Sequence, residues 1–343
     1  MKVNRQVAIV ATMMFLTLTA SHGFMSLAAE PEEKEHVALE PEQAGPDFKI
    51  QGEYAGEFTS ADGKSQKLGV QVVALGKGTF RAIFLAGGLP GYGWDEKSKV
   101  EINGHTADDK TTFGGTDGYS ATIDAAGEVL TGQTDKGEKF ELKKVQRQSP
   151  TLGATAPEGA LVLFDGTNTD AWQNGRIDER KLLMVGAITK KSFRDFALHV
   201  EFRLPFKPSA RGQGRGNSGV YLQERYEVQI LDSFGFKLDD KKPVGDICGE
   251  IYKQKVGTVN MCFPPLAWQT YDIDFQAAKF DEAGKKTQNA IITVKHNGVV
   301  IHDKYEITGK TGAGKPEGPE ARAILLQNHA NPVFFRNIWI VEK

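Results

Sequence analysis

Apolar and polar residues alternate in short runs along most of this chain, and turns rich in glycine cut the runs apart. Leu68-Gly-Val-Gln-Val-Val-Ala-Leu75 and Thr79-Phe-Arg-Ala-Ile-Phe-Leu85 flank Gly76-Lys77-Gly78, a spacing that predicts a β-hairpin. Asp62-Gly63 and Asn103-Gly104 mark further tight turns, and segments 119–123, 128–132 and 139–143 continue the alternation. Nothing here holds a helical period, so residues 48–147 read as a small all-β domain. Segments 197–203, 219–223, 226–231 and 271–275 are strands by the same test. Segment 289–295 pairs with 299–302 across His296-Asn297-Gly298, and segments 323–327 and 333–340 close the chain. Residues 160–343 are therefore expected to form a two-sheet sandwich of jelly-roll type.

The remaining segments differ in composition. Residues 30–47 are acidic and proline-rich with little apolar surface to bury, as in a disordered leader, and 148–159 reads as a linker. At the N-terminus, Lys2 and Arg5 precede an apolar run over 7–20, with Ser26-Leu27-Ala28-Ala29 beyond it. That is the pattern of a signal peptide over 1–29, so the protein is expected to be exported, to the periplasm or beyond, and free of the membrane after cleavage.

Of the 343 residues, 40% are hydrophobic and 25% charged, and the formal charge is −2. This composition excludes global disorder and gives no basic face for nucleic acid. The two cysteines are too few for a four-thiolate zinc site. In an exported chain, Cys248 and Cys262 are expected to form a disulfide. Two glycine motifs mislead. The Gly309–Lys315 run ends in Pro316 where a phosphate loop needs Ser or Thr, and Gly214-x-Gly216-x-x-Gly219 precedes a strand instead of opening a helix.

Candidate chemistry concentrates in Tyr226-Glu-Val-Gln-Ile-Leu-Asp232. With period two, Glu227 and Gln229 share a face opposite Val228 and Ile230. Asp232 joins that face only through a β-bulge after Gln229. Gln327 and His329 share a face near the last strand, and Asn217 and Tyr221 lead into the strand before Glu227. Trp172 and Trp268 are candidate sugar-stacking rings. His199 and Glu201 share a face, with Arg336 a structural partner for Glu201. Gly87-Gly-Leu-Pro-Gly-Tyr-Gly-Trp94 is either a sugar-binding loop or an ordinary long one.

Six motifs in order carry a resemblance. Leu163-Phe-Asp-Gly-Thr-Asn-x-x-x-Trp172, Phe196-Ala-Leu-His-Val-Glu-Phe-Arg203 and Asn217-Ser-Gly-Val-Tyr221 are three of them. The others are Tyr226–Asp232, Trp268-Gln-Thr-Tyr-Asp-Ile273, and Leu326-Gln-Asn-His329 with Phe335-Arg-Asn-Ile338. Together they resemble the 3-keto-disaccharide hydrolase family, also described as 3-keto-glucoside 1,2-lyase and 3-keto-2-hydroxyglucal hydratase. The chain departs from it at Asn328, where Asp is usual, at Ala330 for Gly, and at Gln269 for Asn. The resemblance implies a concanavalin-like lectin/glucanase jelly roll over 160–343 and an oxidised (3-keto) glucoside or disaccharide as partner. It implies removal of the acidified C2 proton, β-elimination at C1 and hydration of the enone. Glu227, Asp232 and His329 are then the catalytic candidates, and also the candidate ligands should a divalent metal ion take part. Gln229, Asn217, Tyr221, Trp172, Trp268, Gln327 and Arg336 would bind substrate. Two other readings use the same face, a non-catalytic lectin-like module and a retaining glycosidase built on paired carboxylates.

Overall fold

Eight strands run in sequence order from Gly52–Thr59 to Lys139–Val145 and close into a barrel, where Glu53 pairs with Val145. Closure removes both sheet edges. The inside is filled by Tyr54, Val70, Val72, Phe80, Phe84, Ile102, Leu130 and Leu142. The strands Ser65–Gly76 and Thr79–Ala86 lose strict alternation because they are buried on both faces. Val73, Ile83 and Leu85 point out of the barrel and join the core of the following sandwich. This is a computed structural model, which describes residues 36–114, 118–238 and 243–343. The expected signal peptide lies outside the described residues, and none of the described helices is long and apolar enough to cross a membrane.

The Gly76–Gly78 hairpin forms as expected. Asn103-Gly104 does not turn, and lies inside the strand Lys99–Ala107. A β-carbon at Gly104 would sit 2.4 Å from the Phe113 ring, so this glycine makes room for a core aromatic. The turn comes instead at Asp108 and Asp109, both with positive φ.

After the barrel the chain forms two facing sheets. The smaller runs Trp172–Gln173, Ile188–Thr189, Leu325–Leu326, Asn217–Leu222, Tyr226–Leu231. In the larger, Phe196–Arg203 lies between Phe334–Glu342 and Trp268–Gln276, followed by Ala290–His296 and Val299–Ile307. Val220, Leu222, Val228 and Ile230 meet Leu198, Val200, Phe202 and Ile273 between the sheets. Tyr271 spans the core, its hydroxyl donating to the Gln229 carbonyl at 2.6 Å.

Several expectations are corrected here. From residue 36 the leader is ordered: Ala38 and Phe206 exchange backbone hydrogen bonds, and Glu40 accepts from Arg180 and Arg203. Its acidic residues find fixed cations, a gain that a count of apolar residues does not register. The 148–159 segment is likewise held against the larger sheet. Ser149 bonds Thr270 at 2.6 Å, Thr151 donates to Asp272 at 2.7 Å, and the Gly153 N–H donates to Glu201. It covers a buried polar layer in which His199 touches Asp272 at 2.6 Å and stacks on Trp339. Arg336 donates to Glu201 at 2.7 Å in that layer, as a structural pair. Cys248 and Cys262 are free, buried thiols and form no disulfide. Cys248 contacts the Tyr271 hydroxyl at 3.2 Å, and Cys262 lies against the Leu231 and Phe263 carbonyls.

Candidate active site

On the smaller sheet, Val220, Leu222, Val228 and Ile230 face the core, so alternation turns Asn217, Gly219, Tyr221, Glu227 and Gln229 to the other side. Tyr221 and Glu227 are direct cross-strand neighbours. The Tyr221 hydroxyl donates to Glu227 Oε2 at 2.6 Å, while Oε1 takes no hydrogen bond from the described residues. Gly219 stands beside that oxygen: a β-carbon there would lie 2.4 Å from Oε1. Gln327 extends the adjacent strand, its N–H on the Gly219 carbonyl and its Nε2 donating to Tyr221 Oη at 3.4 Å. Thr311 Oγ1 accepts the Glu227 N–H at 2.7 Å and so ties a loop to this face. Within that loop Gly312 is exposed, and a β-carbon there would lie 3.5 Å from Glu227 Oε2.

Tyr226–Leu231 is not bare on its outer edge. Residues 249–252 bond along it through Gln229 N–H to Glu250 O, Gly249 N–H to Gln229 O and Tyr252 N–H to Glu227 O. This brings in Glu250, a residue the sequence reading missed. Its Oε1 accepts the Gly245 and Lys253 N–H groups, both at 2.8 Å. The Glu250 signal in the sequence is faint, one carboxylate between Gly249 and Ile251 in an irregular segment. Burial pushes Glu227 up to about 7 against the opposing Tyr221 hydrogen bond, and the Glu250 charge adds to the rise. Burial raises Glu250 as well.

Four buried acceptor atoms of this cluster have no hydrogen-bond partner: Asn217 Oδ1, Gln229 Oε1, Gln327 Oε1 and Glu250 Oε2. Leaving such atoms dry costs about 1–3 kcal/mol each. Their concentration on one face marks a place that expects donors from outside the protein.

The other expected residues go elsewhere. Pairing of Asn217–Leu222 with Tyr226–Leu231 is regular to its end, so no bulge re-aims Asp232. Asp232 is fully buried on Arg215, with Nε at 2.9 Å and Nη2 at 2.8 Å. The guanidinium behind the sheet claims it. His329 is exposed in the loop after Gln327, and no hydrogen bond or ion pair among the described residues joins its ring to Glu227 or Asp232. Trp172 is a core residue whose Nε1 donates to the Leu163 carbonyl at 2.8 Å. Trp268 lies on the larger sheet with Arg336 over its ring at 4.0 Å and Arg203 at 5.1 Å, so guanidinium groups occupy it as a platform. Among the described residues, no three His, Cys, Asp or Glu side chains are placed to hold a metal ion. With Asp232 spent on Arg215 and His329 apart, the three expected ligands do not fit one, and no step here is derived through a metal.

Comparison with known proteins follows from the sandwich. A model of the family described as 3-keto-alpha-glucoside-1,2-lyase-like domain matches residues 159–341, over half of the chain and both sheets. No curated protein matches. Two crystal structures from Parabacteroides distasonis ATCC 8503, each provisionally named a glycosyl hydrolase, are similar to this chain. One is 35% identical with a TM-score of 0.49, over 55% of this chain and 86% of that one. The other is 21% identical with a TM-score of 0.37, over 54% of this chain and 99% of that one. The family match thus falls on the part of the chain that carries the Glu227 face, and the protein belongs to the 3-keto-alpha-glucoside-1,2-lyase-like domain family, a carbohydrate-active one.

Proposed function

We infer that the protein is an exported enzyme that cleaves 3-keto-glucosides or 3-keto-disaccharides on the Glu227 face. The observation that carries this reading is the meeting of a carboxyl poised near neutrality with four unpartnered buried acceptors. A sugar supplies several O–H donors at once, so Asn217, Gln229, Gln327 and Glu250 suit its hydroxyls. A 3-keto group acidifies the C2 proton, and a base titrating near 7 is suited to take it at neutral pH. Glu227 Oε1 accepts that proton while Tyr221 holds Oε2 in place. The C2–H electrons form the C1=C2 bond and the C1–O bond breaks. The departing oxygen takes a proton, and water adding across the new double bond completes a net hydrolysis.

The lectin-like alternative uses the same acceptors but has no need of a carboxyl held near 7. Incubation with 3-keto-sucrose and 3-keto-trehalose beside the unoxidised sugars is the test. Release of the C1 substituent from the keto sugars alone, lost in Glu227→Gln, supports the reading. Binding without turnover in both proteins overturns it. Export follows from the charged and apolar N-terminus, and an N-terminal residue near position 30 in protein recovered outside the cytoplasm would support it.

A further inference from the structure

A second cleft opens on the barrel side of the molecule, away from any residue of the Glu227 face. It encloses about 580 Å3, within the range of about 300–1,000 Å3 typical of ligand pockets. Its floor is formed by Ala55, Gly56, Leu68, Leu89 and Val145, and its rim carries Glu57, Lys67, Tyr92 and Gln148. The loop Gly87–Trp94 that builds one wall is seated by Gly69: a β-carbon there would lie 2.5 Å from the Gly88 carbonyl oxygen. Gly91 fixes the far side of the loop, with space so tight that a β-carbon would meet Met261 Sδ at 2.6 Å.

Tyr92 is 52% exposed, yet it is backed by a fixed group. The Arg147 guanidinium lies 5.0 Å from its ring centre and equally far from that of Phe263. Arg147 is itself locked, donating to Glu53 Oε2 at 2.6 Å and to the Pro90 carbonyl at 2.7 Å. The Arg147 charge is therefore spent on Glu53, and the rim offers one anion and one cation, with no excess of either sign for an ionic ligand. What remains is an apolar floor, an aromatic plane set before binding, and hydrogen-bonding groups around the edge. That combination fits the weakly positive C–H face of a pyranose on a ring, with its hydroxyls reaching the rim.

We propose that this cleft is a second, non-catalytic carbohydrate site, which holds a neutral oligosaccharide on Tyr92. It is independent of the chemistry at Glu227. The experiment is calorimetric titration of the full chain with neutral gluco-, xylo- and manno-oligosaccharides. Parent and Glu227→Gln bind at least one of them equally. Tyr92→Ala weakens that binding about tenfold or more and Tyr92→Phe retains it. Glu57→Trp, which fills the cleft from an exposed strand position, abolishes binding should Tyr92→Ala not fold. Turnover of a small 3-keto substrate is unchanged in the Tyr92 variants. Absence of binding by every oligosaccharide, or binding that Tyr92→Ala and Glu57→Trp leave intact while Glu227→Gln removes it, overturns the proposal. Loss of turnover in Glu227→Gln is read separately, so the two sites fail or stand apart.

Discussion

Tyr221 and Glu227 face each other across two antiparallel strands, and the Tyr221 hydroxyl donates to Glu227 Oε2 at 2.6 Å. That bond holds a buried carboxyl in one orientation with its second oxygen uncommitted. It also favours the charged form, opposing the larger effect of burial, which lifts Glu227 to about 7. If Glu227 is the base, the rate on a 3-keto-glucoside rises with pH through about 7, because only the carboxylate accepts a proton. Glu227→Gln slows turnover by about 10²–10⁴-fold and abolishes that limb. A rate that falls through the same range would make Glu227 the acid instead.

Tyr221→Phe removes the bond that favours the ionised carboxyl, so the rising limb moves to higher pH. At pH 6.5 (an assay pH about half a unit below the Glu227 midpoint) the variant is slower than the parent, and the gap narrows in alkali. Initial rates across the pH range measure this, and a uniform loss at every pH would contradict it.

Stability carries the same signature with a definite sign. A carboxyl whose folded pKa is raised from 4.5 to about 7 holds its proton longer in the native state than in the unfolded one. Its contribution is complete below about 4.5 and is lost as pH climbs through 7, by of order 3 kcal/mol. Glu227→Gln has no such titration. Denaturant unfolding should therefore show the variant gaining on the parent between pH 5 and 8.

Asp232 behaves as a structural charge. Asp232→Asn leaves Arg215 buried without its counter-ion, at a cost of about 3–5 kcal/mol. The folded fraction should keep the parent turnover per molecule. Full stability with collapsed turnover would return Asp232 to the chemistry.

Cys248 and Cys262 are both buried and unbonded. A thiol reagent should modify neither in the native protein and both after unfolding without reductant. Protection that persists in denaturant would indicate a disulfide.

Local pattern reached far into this molecule. Alternation alone identified the strands of barrel and sandwich, and it turned Glu227 and Gln229 away from Val228 and Ile230, because side chains on a strand switch faces at every residue. The motifs from Leu163 to Ile338 pointed to the family. What alternation cannot supply is a partner from elsewhere in the chain. Arg215 took Asp232, the irregular segment behind Tyr226–Leu231 delivered Glu250, and Arg203 with Arg336 covered Trp268. The ordering of Glu40 by Arg180 and Arg203, and of Ser149 and Thr151 by Thr270 and Asp272, has the same origin. Periodicity is a property of neighbours in sequence, whereas the state of a buried charge or an aromatic ring is set by whatever group the fold places against it.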